Sequence, residues 1–179
     1  MKMLNKLFSL KAILLCLIAL TCYVGIGCAE PFEYVRPKDG DSFVMKLRGL
    51  EIDLRLISVD CPEYKQEFGQ EAREYTDEWL RRGKAYIEYD NTMQDRYKRV
   101  LGYVWRGGQM LNYELVRRGY CLAVYYSDTH MHYAELKEAQ DLAKKEKLGI
   151  WTGGGLKMTP AEFRKAKCKN RMKRVSLRK

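Results

Sequence analysis

From Ser42 to Val59 apolar and polar residues trade places at nearly every step, and the run is broken once, at Gly49-Leu50. A period of two is the signature of a strand with one buried face. Ser42–Gly49 and Glu51–Val59 are therefore expected to form a hairpin. In it Phe43, Met45 (or Val44) and Leu47 meet Ile52, Leu54 and Leu56, and Arg55 lies on the opposite side. Asp39-Gly40-Asp41 ahead of the hairpin is a turn signal, and Phe32–Arg36 alternates weakly. Between Glu67 and Arg82 the period changes. Phe68, Ala72, Tyr75, Trp79 and Leu80 recur at helical spacing, and Gly83 stops the helix. Lys84–Asp90 and Arg99–Trp105 return to strand composition. Gly107-Gly108 turns the chain, Met110–Arg118 reads as a short helix, and Tyr120–Tyr126 is aromatic and extended. Tyr133–Lys147 is a second long helix with Leu136, Ala139, Gln140 and Ala143 toward the core and Lys144, Lys145 and Lys147 at the end where cations suit the dipole. Three strands, a helix, two strands, then helices predict an α+β domain built on a small five-stranded antiparallel β-barrel. Such a barrel has no open edge, and its rim loops can carry a site.

A chain of 179 residues holds one domain with appendages, and 46% hydrophobic with 31% charged residues excludes a wholly disordered chain and a polytopic membrane protein. The net charge of +10 belongs to the ends. Residues 30–155 hold 20 basic and 22 acidic side chains, whereas 156–179 hold ten basic ones against Glu162 alone. At the other end Lys2, Lys6 and Lys11 precede an uncharged apolar run that closes on Gly27-Cys28-Ala29. This is the pattern of a secretory signal peptide cleaved after Ala29, and it predicts a secreted or periplasmic protein. An uncleaved membrane anchor is the rival, for which the run is slightly short. Lipidation of Cys28 is a third reading, but Gly25-Ile26-Gly27 lacks the usual leucine. The expected division is a leader over 1–29, a domain over 30–152 and a basic tail over 153–179. Past the leader, Cys61, Cys121 and Cys168 remain. An odd number cannot pair completely, and a Cys61–Cys121 disulfide is open in an oxidising compartment.

In the tail, Thr159-Pro160-Ala161-Glu162 is a capping box with proline at the first helical position, so Phe163–Arg174 is expected to form a short basic helix behind a Gly153-Gly154-Gly155 hinge. A grip on polyanions, contact with a membrane surface and a frayed solubilising tail all fit that composition. His130 and His132 fall in a polar loop and read as surface residues rather than metal ligands.

Three short pieces of the domain combine into chemistry. Asp41 and Asp60 end adjacent strand segments, and two hard carboxylates meeting at a barrel rim suit Ca²⁺, with backbone carbonyl and water completing its oxygen shell. Pro62 fixes a turn after Asp60 that lets the Cys61 carbonyl point inward. Glu63 lies one turn on, free to take a proton from water, and Arg55 and Arg99 supply two planar, permanently charged forks. A cation site, a spare carboxylate and two arginines are the groups that phosphodiester hydrolysis requires.

The chain resembles the staphylococcal nuclease (thermonuclease) family from about Tyr34 to Trp151. The resemblance is carried by Asp-Gly-Asp-Ser at 39–42, Arg-Leu-Ile-Ser-Val-Asp-Cys-Pro-Glu at 55–63, Gly-Gln-Glu-Ala at 69–72, Asp-Arg-Tyr-Lys-Arg at 95–99, Leu-Val-Arg-Arg-Gly-Tyr at 115–120 and the Glu-Ala-Gln…Lys-Lys-Glu-Lys-Leu-Gly-Ile-Trp segment at 138–151. It implies an OB-fold barrel with three helices and Ca²⁺-dependent hydrolysis of DNA and RNA at the 5′ P–O bond, leaving 3′-phosphorylated products. It implies that Asp41 and Asp60 are the Ca²⁺ carboxylates, Cys61 a backbone-carbonyl ligand, Glu63 the general base, and Arg55 and Arg99 the phosphate-gripping arginines. Tyr97 and one of Tyr125 or Tyr126, Tyr126 in the preferred register, are implied as nucleotide contacts; stacking on a base suits any sequence. No stable protein partner is implied, and membrane contact only through an uncleaved leader or a lipidated Cys28. The chain departs from the family pattern at Ser42 and Cys61, which replace threonines, at Lys98, which replaces a glycine, and in a shorter loop between Glu63 and Gly69. An alternative is a nucleic-acid-binding OB-fold module without turnover. Intact Arg55, Glu63 and Arg99 favour the enzyme, since binding alone does not need the spare carboxylate.

Overall fold

The structure, a computed structural model, describes residues 29–176, so the expected leader lies outside the described residues. Its strands are β1 (Glu30–Pro37), β2 (Ser42–Leu47), β3 (Leu50–Leu56), β4 (Val59–Asp60), β5 (Ala85–Glu88), β6 (Val100–Arg106), β7 (Gln109–Met110) and β8 (Leu122–Ala123). The helices are α1 (Gly69–Arg81), α2 (Leu111–Arg117), α3 (Tyr133–Lys145) and α4 (Pro160–Ser176), with a 3₁₀ turn at Gly149–Trp151.

The expected hairpin forms between β2 and β3, with Phe43 opposite Leu54, Met45 opposite Ile52 and Ser42 opposite Arg55. β1 pairs on one side with β2 and on the other with β5, β5 pairs with β6, and β6 returns to β3, so β3-β2-β1-β5-β6 close into a barrel. The closing pair corrects the antiparallel expectation. β3 and β6 run parallel, Leu54 beside Val100 and Leu56 beside Gly102, which makes the sheet mixed. Alternation reports which face of a strand is buried and carries nothing about the direction of its neighbour. The helix count is corrected as well, from three to four among the described residues. The fourth is the tail helix α4, which is longer than the Phe163–Arg174 expected for it.

Two other segments differ from their patterns. Glu51–Val59 is not one strand: β3 ends at Leu56, Ser58 turns the chain with φ 58, and β4 resumes to pair with β8. Of Tyr120–Tyr126 only Leu122–Ala123 is strand. Phe43, Met45, Leu54, Leu56, Ile87 and Val104 pack in the barrel, while Trp79, Leu111, Leu115, Leu136 and Ala139 seat the helices on it, and Tyr103, on the opposite face of β6 from Val104, is buried against Ser58 and His132. Burial of each such side chain is worth about 1.5–3 kcal/mol. Cys61 and Cys121 are joined by a disulfide, their Cα atoms 4.1 Å apart, beside the β4–β8 pair. Cys168 on α4 is a free, exposed thiol.

Candidate active site

The turn that carries Asp41 is held from both sides. The amides of Lys38 and Asp39 donate to the Ser42 carbonyl at 2.9 and 3.0 Å, and the Leu56 amide at the end of β3 donates to the Asp41 carbonyl at 2.8 Å. Helix α1 lies against Gly40: the Thr76 hydroxyl donates to the Gly40 carbonyl at 2.6 Å. A Cβ on Gly40 would come within 2.7 Å of the Ala72 Cβ and 2.9 Å of the Cys61 Cβ. Only glycine lets turn, helix and the Cys61 strand end approach this closely.

Asp41 and Asp60 are almost fully buried, at 2% and 5% exposure. Two buried carboxylates need compensating positive charge and hydrogen bonds. Arg55 provides part of both. Its Nη1 pairs with Asp41 Oδ1, and its Nη2 reaches Asp60 Oδ1 at 3.0 Å and the Val59 carbonyl at 3.2 Å. Burial pulls the Arg55 guanidinium below its ordinary pKa, and the charge and hydrogen bond of Asp60 oppose that pull. The Cys61 amide donates to Asp41 Oδ2 at 2.7 Å, and the Cys61 side chain is committed to the disulfide, so only its backbone faces the carboxylates. A second guanidinium comes from α4. Arg164 forks onto Asp60, Nη1 to Oδ1 at 3.1 Å and Nη2 to Oδ2 at 3.0 Å, and its Nη1 also reaches Glu63 Oε1 at 3.0 Å. Although burial pulls it down, these bonds and charges hold Arg164 above its ordinary pKa.

Glu63 opens a compact loop. Its amide donates to Gln66 Oε1 at 3.3 Å, the Gln66 amide returns to the Glu63 carbonyl at 2.7 Å, and a Cβ on Gly69 would fall 1.9 Å from that carbonyl. Among the described residues Glu63 is linked to the Asp41–Asp60 pair through Arg164. Among the described residues no three His, Cys, Asp or Glu side chains converge in metal-site geometry. The centre is thus a pair of carboxylates rather than a full cage of side chains. The residues still fit a hard divalent ion: the donors are all oxygen, the pair is buried, and it already draws two guanidinium groups to the place where positive charge is required.

Arg55 connects this centre to an open cavity of about 220 Å³, lined also by Ile57, Arg99, Leu101, Tyr126 and Thr129. Arg99 is aimed by Asp95, whose carboxylate accepts from the Arg99 side chain at 2.8 Å and from the amides of Tyr97 and Arg99 at 2.8 and 3.0 Å. Burial works to raise the Asp95 carboxyl, but the backbone and side-chain bonds from Arg99 outweigh it, and its pKa lies below the usual carboxylate value. The exposed Tyr97 ring lies 5.6 Å from the Arg99 guanidinium. Tyr125 packs instead against His130 and Tyr133, at 5.2 Å between ring centroids in each case. His132 bonds Glu88 at 3.0 Å, away from the carboxylate pair.

The structure therefore gathers Asp41, Asp60, the Cys61 backbone and Arg55 at one point, brings Glu63 to it through Arg164, and places Arg99 and Tyr126 around the adjoining cavity. Asp95 and Arg164 were not singled out from sequence. Asp95 leaves a trace, because an aspartate two residues before a turn amide is a common turn former. Arg164 leaves none, being one of the tail's ten basic residues with nothing local to say where it lands.

Residues 53–153 match the family model described as staphylococcal nuclease homologue. The chain is 34% identical to the thermonuclease of Staphylococcus hyicus over 129 residues, covering 69% of this chain and 76% of that one. It is 33% identical to the thermonuclease of Staphylococcus intermedius over 128 residues, 68% and 76% of the two chains. Endonuclease YncB of Bacillus subtilis is 29% identical over 128 residues, 67% of this chain and 61% of its own.

Proposed function

The chain belongs to the staphylococcal nuclease family and is a nuclease, and from that premise we propose that it is an exported, Ca²⁺-dependent endonuclease that hydrolyses both DNA and RNA. The observation that carries this reading is the position of Arg55, which touches both buried carboxylates and at the same time lines the cavity that holds Arg99. Cation site and phosphate site thus share one side chain.

Asp41, Asp60 and the Cys61 carbonyl would hold the Ca²⁺, which supplies neutralisation of the phosphate and of the charge that develops on it. Arg55 and Arg99 bind the scissile phosphate from two directions, and their planar forks match its oxygens as these gain charge. Glu63 takes a proton from the attacking water, whose oxygen bonds to phosphorus as the 5′ P–O bond breaks, and the departing 5′ oxygen takes a proton from solvent. The products are a 3′-phosphate and a 5′-hydroxyl. Tyr97 and Tyr126 give the flanking nucleotides aromatic faces to lie on. Export rests on the Lys2–Ala29 pattern.

The test is direct. Purified protein incubated with Ca²⁺ and either DNA or RNA is expected to release fragments with 3′-phosphate ends. Glu63→Gln should lower the rate by about 10²–10⁴, the usual worth of a general base, with the melting temperature nearly unchanged. Absence of cleavage of either polymer in Ca²⁺ would remove the proposal and leave the non-catalytic binding module in its place.

A further inference from the structure

The tail helix α4 lies beyond residues 53–153, the part of the chain that matches the family model, yet it reaches into the centre of the candidate site. The capping box that starts it is formed, with the Thr159 amide donating to Glu162 Oε2 at 2.8 Å and the Glu162 amide to Thr159 Oγ1 at 3.3 Å. Just before it, the Met158 carbonyl accepts from Gln66 Nε2 at 2.6 Å, which ties the tail to the loop that carries Glu63. One helical turn later Arg164 lands on Asp60 and Glu63.

The hydrogen-bond inventory of the two aspartates shows what Arg164 occupies. Asp41 Oδ1 is paired with Arg55 and Asp41 Oδ2 with the Cys61 amide, and Asp60 Oδ1 is shared by Arg55 and Arg164. Among the described residues Asp60 Oδ2 is bonded by Arg164 alone. A divalent ion held by Asp41 and Asp60 needs lone pairs of these same oxygens, and its charge would repel a guanidinium at hydrogen-bond distance. Arg55 belongs to β3 within the closed barrel, whereas Arg164 is mounted on the tail helix. Gly153-Gly154-Gly155 precedes the helix, with φ of 87° at Gly154 and 121° at Gly155. Pro160 at the start of the helix is buried, but from Ala161 to Asn170 no residue is, and only Phe163 and Ala166 are half-covered. It is therefore held by a few polar contacts and little apolar area.

We propose that α4 is an autoinhibitory latch in which Arg164 competes with the divalent cation for the Asp41–Asp60 pair and ties up one carboxylate oxygen of Glu63. The latch rests on the reading that this pair is the cation site. Closed, it cancels the negative charge that would attract the ion and occupies one oxygen of the proposed base. Binding of the cation and release of the helix are then one event, so the latch raises the Ca²⁺ concentration at which the site fills.

Calorimetric titration of Ca²⁺ into the full chain tests this without recourse to activity. Arg164→Ala is expected to tighten Ca²⁺ binding on the order of tenfold, within the usual span of such couplings, and Asp60→Asn to abolish it. In the unsubstituted chain Ca²⁺ should also accelerate trypsin cleavage within Pro160–Ser176. An Arg164→Ala variant that binds Ca²⁺ as the unsubstituted chain does, while Asp60→Asn still abolishes binding, overturns the latch and spares the cation site. Failure of Ca²⁺ to bind unsubstituted chain and Arg164→Ala alike overturns both.

Discussion

At the scale of single residues, the turn before β6 shows how one carboxylate can aim an arginine, Arg99, into a cavity. Asp95 accepts two amides and the Arg99 side chain, and the bend they enclose places Lys98 in the left-handed region at φ 63. The family resemblance puts a glycine there; the lysine keeps the glycine-like backbone at a cost of roughly 1–2 kcal/mol. Asp95→Asn keeps an acceptor for the amides and removes the charge that orients Arg99. It should lower kcat/KM by about tenfold to a hundredfold, the usual effect of a displaced catalytic group. The same substitution should cost roughly 0.5–1 kcal/mol of stability at neutral pH. The pH dependence follows from the lowered pKa. The contribution is complete above the ordinary aspartate value of 3.8 and is lost as pH falls through the lower folded value. Urea titrations of both proteins from pH 2 to 6 check it: the two stability curves should be separated at the upper end and meet at the acid end.

At the scale of elements, helix α1 and the Asp41 turn are one device. Gly40, Ala72 and Thr76 were separately legible as a turn residue and as positions on a helix, but nothing local joined them. Their contact exists because Gly40 has no Cβ and the Thr76 hydroxyl finds the Gly40 carbonyl. Gly40→Ala should lower stability by about 1–3 kcal/mol through overpacking and weaken Ca²⁺ binding by tilting Asp41. Thermal melts with and without Ca²⁺ measure both, and an unchanged melting temperature would mean that the turn has room to spare. The hairpin register and the buried faces of α1 and α3 were readable because amphipathic period is written in consecutive residues. The parallel β3–β6 closure, the turn at Ser58 that splits β3 from β4, and the landing of α4 were not, since each is set by residues 30 or more positions away or by a bend that leaves the alternation undisturbed. The motif residues near Asp41, Asp60 and Arg99 could be picked out singly. Their convergence is a property of the closed barrel.

At the scale of the whole molecule, the charge distribution follows the division of labour. Residues 30–155 are close to neutral, and residues 156–179 concentrate ten basic residues beside one acid. Arg164 is the residue of that tail that pairs with Asp60 and Glu63, beside the Arg55 that already bridges Asp41 and Asp60. The disulfide between Cys61 and Cys121 pins the strand end that carries Asp60, and a cross-link of this kind typically contributes about 2–4 kcal/mol. The proposed function depends on whether Asp41 and Asp60 would hold a divalent ion beside Arg55, Arg99 and Glu63. The most direct measurement is the initial rate of oligonucleotide cleavage as free Ca²⁺ is raised from chelator-buffered zero to saturation, for the unsubstituted chain and for Asp41→Asn. No cleavage is expected in chelator, with a saturable rise as Ca²⁺ is added and a half-saturating concentration at least about tenfold higher for Asp41→Asn. Cleavage that proceeds undiminished in chelator, or a Ca²⁺ dependence that Asp41→Asn leaves in place, would contradict the proposed function.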